Sequence, residues 1–153
     1  MTNSEDFFSR PPPGLDRDEI RRRVELLARQ PAENGDFGVV RDFCAQNLVC
    51  EFVGDKSRIP YAGRHFGVDA LLNILRAINI DFAQSEQQID DVIIDSGGVA
   101  MRRSVRWRHR GTGLEGRVDL ADFIRFEDGL IVELIEFRDS ITILSIQGDP
   151  PWP

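Results

Sequence analysis

Residues 120–140, LADFIRFEDGLIVELIEFRDS, decide the fold class. Two runs of alternating apolar residues flank Glu127-Asp128-Gly129, and an Asp-Gly pair between such runs predicts a β-hairpin. Alternation in the first run places these apolar side chains on one face: Val118, Leu120, Ile124 and Phe126. Asp122 falls on the same face, where an apolar side chain is expected. The segment therefore predicts a half-buried hairpin with an acid on its buried face.

Length and composition indicate one globular domain. A chain of 153 residues suits a single domain, which buries about 68–70% of its unfolded surface. The hydrophobic fraction of 41% and the charged fraction of 29% are typical of soluble proteins. The net charge of −7 argues against DNA, RNA and anionic membranes as partners, because their phosphates bind positively charged surfaces.

The two ends of the sequence are expected to lie outside the domain. Residues 1–14 contain three consecutive prolines and predict a flexible leader, and residues 148–153 predict a Pro-rich tail, which leaves 15–147 as the domain. The leader has early acids and no apolar core, so it does not fit a signal peptide. No apolar run approaches the roughly 20 residues that span a bilayer. We therefore expect a cytoplasmic protein.

Helical periodicity dominates the first half of the chain and strand periodicity the second. The predicted helices cover residues 17–29, a short stretch ending near 45, and 68–80. The predicted strands cover 48–53, 82–95, 99–110, 117–127 and 130–139, and 141–146 either extends the last strand or starts a short terminal turn. Helices followed by a run of strands predict an α+β fold with the helices on one face of a mainly antiparallel sheet.

Three sequence blocks, in their order and spacing, resemble the nuclear transport factor 2-like superfamily. They are YAGRHFG at 61–67, FEDGLIVE at 126–133 and FRD at 137–139. More narrowly, residues 16–140 resemble its SnoaL-like and ketosteroid isomerase-like branch. The resemblance implies a cone in which a curved sheet wraps around about three N-terminal helices and leaves an apolar pocket. It also implies a homodimer through the sheet, a hydrophobic small molecule as partner and no cofactor.

Two acids are candidate catalytic residues. Segment 122–126 is similar to the isomerase segment that supplies a protonated acid to the oxyanion hole. Burial without a cation favours a neutral acid that can donate to a developing oxyanion, and a salt bridge from Asp122 to a neighbour such as Arg103 is the alternative. Glu51 matches by position the strand that carries the isomerase's general base, and a surface or rim acid on a short edge strand is the alternative there. Residues 21–25 lack the isomerase's tyrosine, so true steroid isomerase activity is not expected.

Five further side chains are expected at the pocket or its mouth: Tyr61, His65, Phe66, Trp107 and His109. Either histidine could act as an acid or base, and a structural role is the alternative for both. Without spaced carboxylates the two histidines do not predict a metal site. Cys44 and Cys50 lack a CxxC spacing and are interpreted as reduced packing residues.

Arginines alternate along the predicted strand 99–110. Trp107 and Arg103 share one face, and four arginines lie on the other: Arg102, Arg106, Arg108 and Arg110. Acids on the neighbouring strands favour cross-strand ion pairs or a charged dimer interface over a nucleic-acid site.

The sequence thus predicts a small cofactor-independent enzyme for a hydrophobic cyclic or carbonyl-bearing metabolite, with isomerase, cyclase or dehydratase-like acid–base chemistry. Glu51 would move a proton, Asp122 would stabilise or protonate an oxygen, and Trp107 and Phe66 would shape the pocket. A non-catalytic module for small-molecule binding or dimerisation is the alternative.

Overall fold

A computed structural model describes residues 15–29 and 37–149 of the chain. The predicted leader and residues 150–153 of the predicted tail lie outside these residues. The elements, in chain order, are α1 (Arg17–Ala28), α2 (Gly38–Phe43), β1 (Cys44–Val53), β2 (Gly63–Phe66), α3 (Val68–Asp81), β3 (Phe82–Asp95), β4 (Gly98–His109), β5 (Glu115–Glu127), β6 (Leu130–Arg138) and α4 (Ser140–Gln147). None of these helices is long and apolar enough to cross a membrane.

The six strands form one curved sheet in the order β2-β1-β6-β5-β4-β3. Strands β3 to β6 make an antiparallel meander, and β1 joins its far side by pairing parallel with β6. The predicted α+β class and mainly antiparallel sheet are confirmed. The parallel pair places Phe52 beside Glu136, so the early part of the chain reaches the centre of the sheet.

Helices α1 and α3 cover the inner face of this sheet. Helix α1 begins as its capping pattern predicts, because the Asp16 side chain accepts a hydrogen bond from the Glu19 backbone N–H at 2.8 Å. It buries Ile20 and Val24. The predicted stripe of α3 also faces the core, where Leu71, Leu72 and Ile78 are buried and Leu75 packs half-buried: this is the 3.6-residue periodicity expected of an amphipathic helix.

Three local predictions need correction. Helix α2 ends at Phe43 rather than near residue 45, because Cys44 is already extended and begins β1. The predicted loop before α3 contains the short strand β2. The high content of glycine and charged residues in this segment obscures the strand pattern. Residues 141–146 belong to α4, because the Asp139 carboxylate caps the helix by accepting from the Thr142 N–H at 3.1 Å.

The hairpin between β5 and β6 has the predicted turn and an unpredicted bulge. Asp128 and Gly129 have φ of +50° and +78°, as a type I′ turn requires. Pairing then shifts by one residue at β6, so that Val132 is the extra residue of a β-bulge. Leu134 and Glu136 consequently face inward, although alternation from Ile131 would place both outside.

Replacing Gly129 should test how strongly the turn supports the hairpin. Gly129→Ala should lower the free energy of unfolding by roughly 1–2 kcal/mol, since a side chain in the left-handed region costs about that much. Gly129→Asn is the matched control and should cost less, because asparagine adopts this conformation more readily. Urea unfolding monitored by circular dichroism measures both. Equal stability of all three chains would contradict the turn's role.

Candidate functional site

Two carboxyl groups face each other on the inner face of the sheet. Asp122 on β5 pairs directly with Glu136 on β6, and the two residues are 2% and 4% exposed. Side chains directly opposite on neighbouring strands lie close enough to interact. The register of the two strands therefore brings two acids together in the interior.

Two arginines hold these acids. Arg103 on β4 donates from Nε and Nη2 to the Asp122 carboxyl at 2.6 and 3.2 Å, and from Nη2 to Glu136 at 2.9 Å. Arg138 pairs with the other oxygen of Glu136. The guanidinium fork of Arg103 thus bridges both acids, as its planar geometry allows. Asp122, Arg103, Glu136 and Arg138 are named the buried network below.

The two acids differ in their proton affinity. Burial raises the pKa of Asp122 to about 7, which the charge of Arg103 opposes and the charge of Glu136 reinforces. Burial acts on Glu136 in the same direction, but the charges of Arg138 and Arg103 outweigh it and lower the pKa of Glu136 to about 2. These opposite shifts favour the charged form of Glu136 and the protonated form of Asp122.

A cavity of about 50 Å³ lies against the buried network. Its polar wall is formed by Arg103, Asp122 and Glu136, and the rest is apolar, including Leu71 of α3 and Phe52 of β1. A single water molecule needs roughly 10–15 Å³, so the cavity has room for a few waters or one small chemical group. An acid that holds a proton at the wall of an apolar cavity is suited to giving that proton to a bound oxygen.

Asp122 lies on the buried face, and the salt bridge to Arg103 that was considered as its alternative is present. It borders an apolar cavity and is also bonded to Arg103. Glu51 lies elsewhere, because Cys50 and Phe52 face the core and alternation turns Glu51 to the outer face of β1. The second carboxyl at the cavity is Glu136.

The predicted pocket aromatics divide into two groups. Tyr61 and Trp107 are buried beside Arg138, whose Cζ lies 5.0 and 5.3 Å from their ring centres, but neither borders the cavity. Phe66 is 70% exposed and does not shape the cavity wall. The reason is its place on the short strand β2, which lies at the edge of the sheet.

Both histidines make local contacts outside the cavity. His65 Nε2 lies 3.1 Å from the Tyr61 carbonyl oxygen. His109 Nδ1 accepts from the Thr112 backbone N–H at 3.0 Å, and its ring packs edge-on against Phe82 at 5.2 Å. These contacts fit the structural alternative considered for each residue.

The outer-face arginines of β4 and the two cysteines lie away from the cavity. Arg106 on the outer face pairs across strands with Glu86 at 3.1 Å and with Glu115 at 3.5 Å. Cys44 and Cys50 are free and buried, and burial raises the pKa of their thiols to about 12 and about 11. Within residues 15–29 and 37–149, no His, Cys, Asp or Glu cluster of three or more could hold a metal ion.

Glu136 and Arg138 are functional candidates that sequence reasoning missed. Simple alternation through β6 turns both outward, and only the bulge at Val132 turns them in. The sequence does place Glu136 and Arg138 two residues apart, so the two charged side chains share one face of the strand. That pairing was the signal that could have identified them.

Comparison with known proteins identifies the family of the fold. The family model described as "SnoaL-like domain" matches residues 20–134. No curated protein sequence matches the chain significantly. A candidate isomerase from Rhodopseudomonas palustris has a similar structure, with a TM-score of 0.72, 18% identity, and coverage of 84% of this chain and 96% of that one.

Two other solved structures are similar at comparable identity. IdmH, a candidate polyketide cyclase from Streptomyces antibioticus, has a TM-score of 0.66 at 21% identity, covering 84% of this chain and 97% of its own. An epoxide hydrolase of the LEH-like type from M. tuberculosis has a TM-score of 0.62 at 21% identity, covering 81% of this chain and 85% of its own. These likenesses confirm the predicted nuclear transport factor 2-like cone fold.

The proton on Asp122 should appear in the pH dependence of stability. The pKa of Asp122 is raised on folding, from 3.8 to about 7, so its contribution to stability is lost as pH rises through that range. Glu136 contributes in the opposite sense, with stability lost as pH falls from 4.5 towards about 2. Between pH 4 and 8, wild type should therefore lose stability relative to Asp122→Asn, by an amount on the order of a few kcal/mol.

Urea unfolding of both chains at several pH values measures this difference. Glu51→Gln, which removes a carboxyl group from the outer face of the sheet, is the matched control. A wild-type chain that gains stability relative to Asp122→Asn as pH rises would contradict the account, because Asp122 would then be an ionised partner of Arg103.

Proposed function

The chain belongs to the SnoaL-like domain family, and we propose that it is a small cofactor-independent enzyme using acid–base chemistry on a hydrophobic cyclic or carbonyl-bearing metabolite. One observation carries the proposal: Asp122 and Glu136 face each other across Arg103 at an apolar cavity, where burial raises the pKa of Asp122 and two arginines lower the pKa of Glu136. Pairs of acids whose environments separate their pKa values are typical of acid–base sites.

Asp122 is proposed as the catalytic residue. Its carboxyl O–H would donate to a substrate oxygen as negative charge develops there. The Asp122 carboxylate that remains is already bonded to Arg103, so the new negative charge is stabilised where it forms. The same carboxylate can later take a proton from a carbon or oxygen of the substrate, which completes an isomerisation, a ring closure or a dehydration.

Glu136 and Arg103 are proposed as positioning residues. The negative charge of Glu136 favours the protonated form of Asp122, and Arg103 fixes the orientation of both acids. Glu136 itself is a weak base, because two guanidinium groups stabilise its ionised form. Proton transfer is therefore assigned to Asp122 rather than to Glu136 or Glu51.

The names of similar structures support this class of chemistry. They include a candidate isomerase, a candidate polyketide cyclase and an epoxide hydrolase. Protonating an oxygen in an apolar cavity assists each of these reaction types.

Turnover by two variants tests the assignment. We expect wild type to convert at least one member of a panel of cyclic enones, hydroxy ketones and cyclic epoxides, followed by proton NMR and mass spectrometry. Asp122→Asn should reduce kcat/KM by about 10²–10⁴-fold, the usual contribution of a general acid or base. Glu51→Gln should retain activity, because Glu51 lies on the outer face. Full activity of Asp122→Asn would contradict the assignment.

A second candidate is a binding module without catalysis. It is favoured by the small cavity of about 50 Å³ and by the pairing of both acids with arginine. On this alternative, panel members bind to the chain in saturation-transfer NMR but none is converted. Conversion that depends on Asp122 excludes it.

The homodimer through the sheet remains a proposal. The outer face of the sheet exposes Phe123 and Phe137, whose rings pack edge-on at 6.0 Å. Exposed apolar groups of this kind favour association. Sedimentation equilibrium should give a dimer for wild type and a monomer for Phe123→Glu, whereas a monomeric wild type would exclude this interface.

A further inference from the structure

Three buried residues that pack against one another, Tyr61, Trp107 and Arg138, each carry a polar atom that is poorly satisfied. Within the described residues, Arg138 Nη1 and Trp107 Nε1 have no hydrogen-bond partner, and the Tyr61 hydroxyl has none besides its interaction with Arg138. The Arg138 side chain is 5% exposed, Trp107 1% and Tyr61 6%. The Cζ atom of Arg138 lies 4.6, 5.0 and 5.3 Å from the rings of Phe52, Tyr61 and Trp107. Tyr61, Trp107 and Arg138 are named the donor cluster.

The chemistry of these atoms specifies what they would bind. The arginine and indole nitrogens only donate hydrogen bonds, and the tyrosine hydroxyl can donate. Buried polar groups in folded proteins nearly always have partners, so three poorly satisfied ones in one cluster point to a bound acceptor. Oxygen is the acceptor that N–H and O–H donors most commonly meet in proteins.

The charges nearby favour an anionic acceptor. Arg103 and Arg138 are positive and Glu136 is negative, so the buried network has one positive charge in excess whenever Asp122 carries its proton. A carboxylate bound to Arg138 would balance that charge, and arginine binds carboxylates through two parallel N–H groups. The surrounding aromatic rings would contact an apolar group attached to the carboxylate.

We propose that Tyr61, Trp107 and Arg138 form a binding site for the carboxylate of a hydrophobic organic acid. The inference rests on the proposed function in one respect: the bound organic acid is taken to be the substrate on which Asp122 acts. Phe52 and Glu136 both border the cavity and both contact Arg138. A small apolar group of the acid would lie in the cavity beside Asp122. The aromatic rings around Arg138 would contact the rest of its apolar body, and its carboxylate would reach the donor cluster past the ring of Phe52.

Binding of phenylacetate tests the site. Titration calorimetry should detect binding to wild type, and phenylacetamide, the neutral analogue, should bind at least about tenfold more weakly. Tyr61→Phe and Trp107→Phe should each weaken phenylacetate binding about 10- to 100-fold, the usual effect of losing a hydrogen bond to a charged group. Arg138→Lys should do the same, because lysine cannot form the two parallel bonds.

These variants separate binding from folding. Tyr61→Phe removes only a hydroxyl and should change the free energy of unfolding little. Trp107→Phe also leaves a cavity in the core and should lower the free energy of unfolding, so its binding is measured under conditions where the variant is folded. Ile94→Val is the control, since Ile94 pairs with Val99 at the opposite end of β4 from Trp107, and it should bind phenylacetate like wild type. The sequence has two tryptophans, so a Trp152→Phe background assigns any ligand-induced fluorescence change to Trp107.

Several results would overturn the proposal. They are no binding of phenylacetate by wild type, affinities within twofold of wild type for Tyr61→Phe and Trp107→Phe, or equal binding of phenylacetamide. A fluorescence response to chloride but not to phenylacetate would also overturn it, since it would show an inorganic ion site only. Asp122→Asn should still bind phenylacetate within a few-fold of wild type while losing turnover, so failure of this site and failure of the proposed catalysis are distinguishable.

Discussion

The rest of the structure depends on the burial of two carboxyl groups opposite each other, with one guanidinium group between them. Taking each ion out of water costs several kcal/mol, and buried ion pairs often contribute no more stability than apolar side chains of the same volume. The arrangement holds because Arg103 bonds to both Asp122 and Glu136 and Arg138 adds a second bond to Glu136. Stability alone therefore does not explain why these residues occupy the core, and the proton-transfer role proposed above would.

The register of β1, β5 and β6 determines which side chains meet in the buried network. Asp122 pairs with Glu136, and Glu136 pairs with Phe52, so the parallel contact between β1 and β6 places an aromatic wall next to the acids. The bulge at Val132 decides which side chains of β6 face inward. A shift of one residue would move Glu136 and Arg138 to the outer face and leave Arg103 and Asp122 bonded only to each other.

The fold and one half of the site could be predicted from the sequence. Asp122 was identifiable because it interrupts an apolar face with regular alternation, and the Asp-Gly turn has a strong local signal. Glu136 was not identifiable, because the bulge inverts the alternation and bulges depend on pairing with another strand. Glu51 was predicted as a general base from its position in the strand, but the neighbouring Phe52 faces the core and Glu51 therefore faces outward. The contact of Tyr61 and Trp107 with Arg138 joins distant parts of the chain, which local patterns do not specify.

The carbon-13 chemical shift of the Asp122 carboxyl, followed against pH and assigned with Asp122→Asn, tests the central claim most directly. Because burial and the charge of Glu136 both oppose ionisation, Asp122 should titrate at about pH 7, well above the ordinary value of 3.8. That result would show an acid that keeps its proton in the interior, as the proposed chemistry requires. A carboxylate that stays ionised below its ordinary value would contradict it, because Asp122 would then be half of a structural ion pair with Arg103.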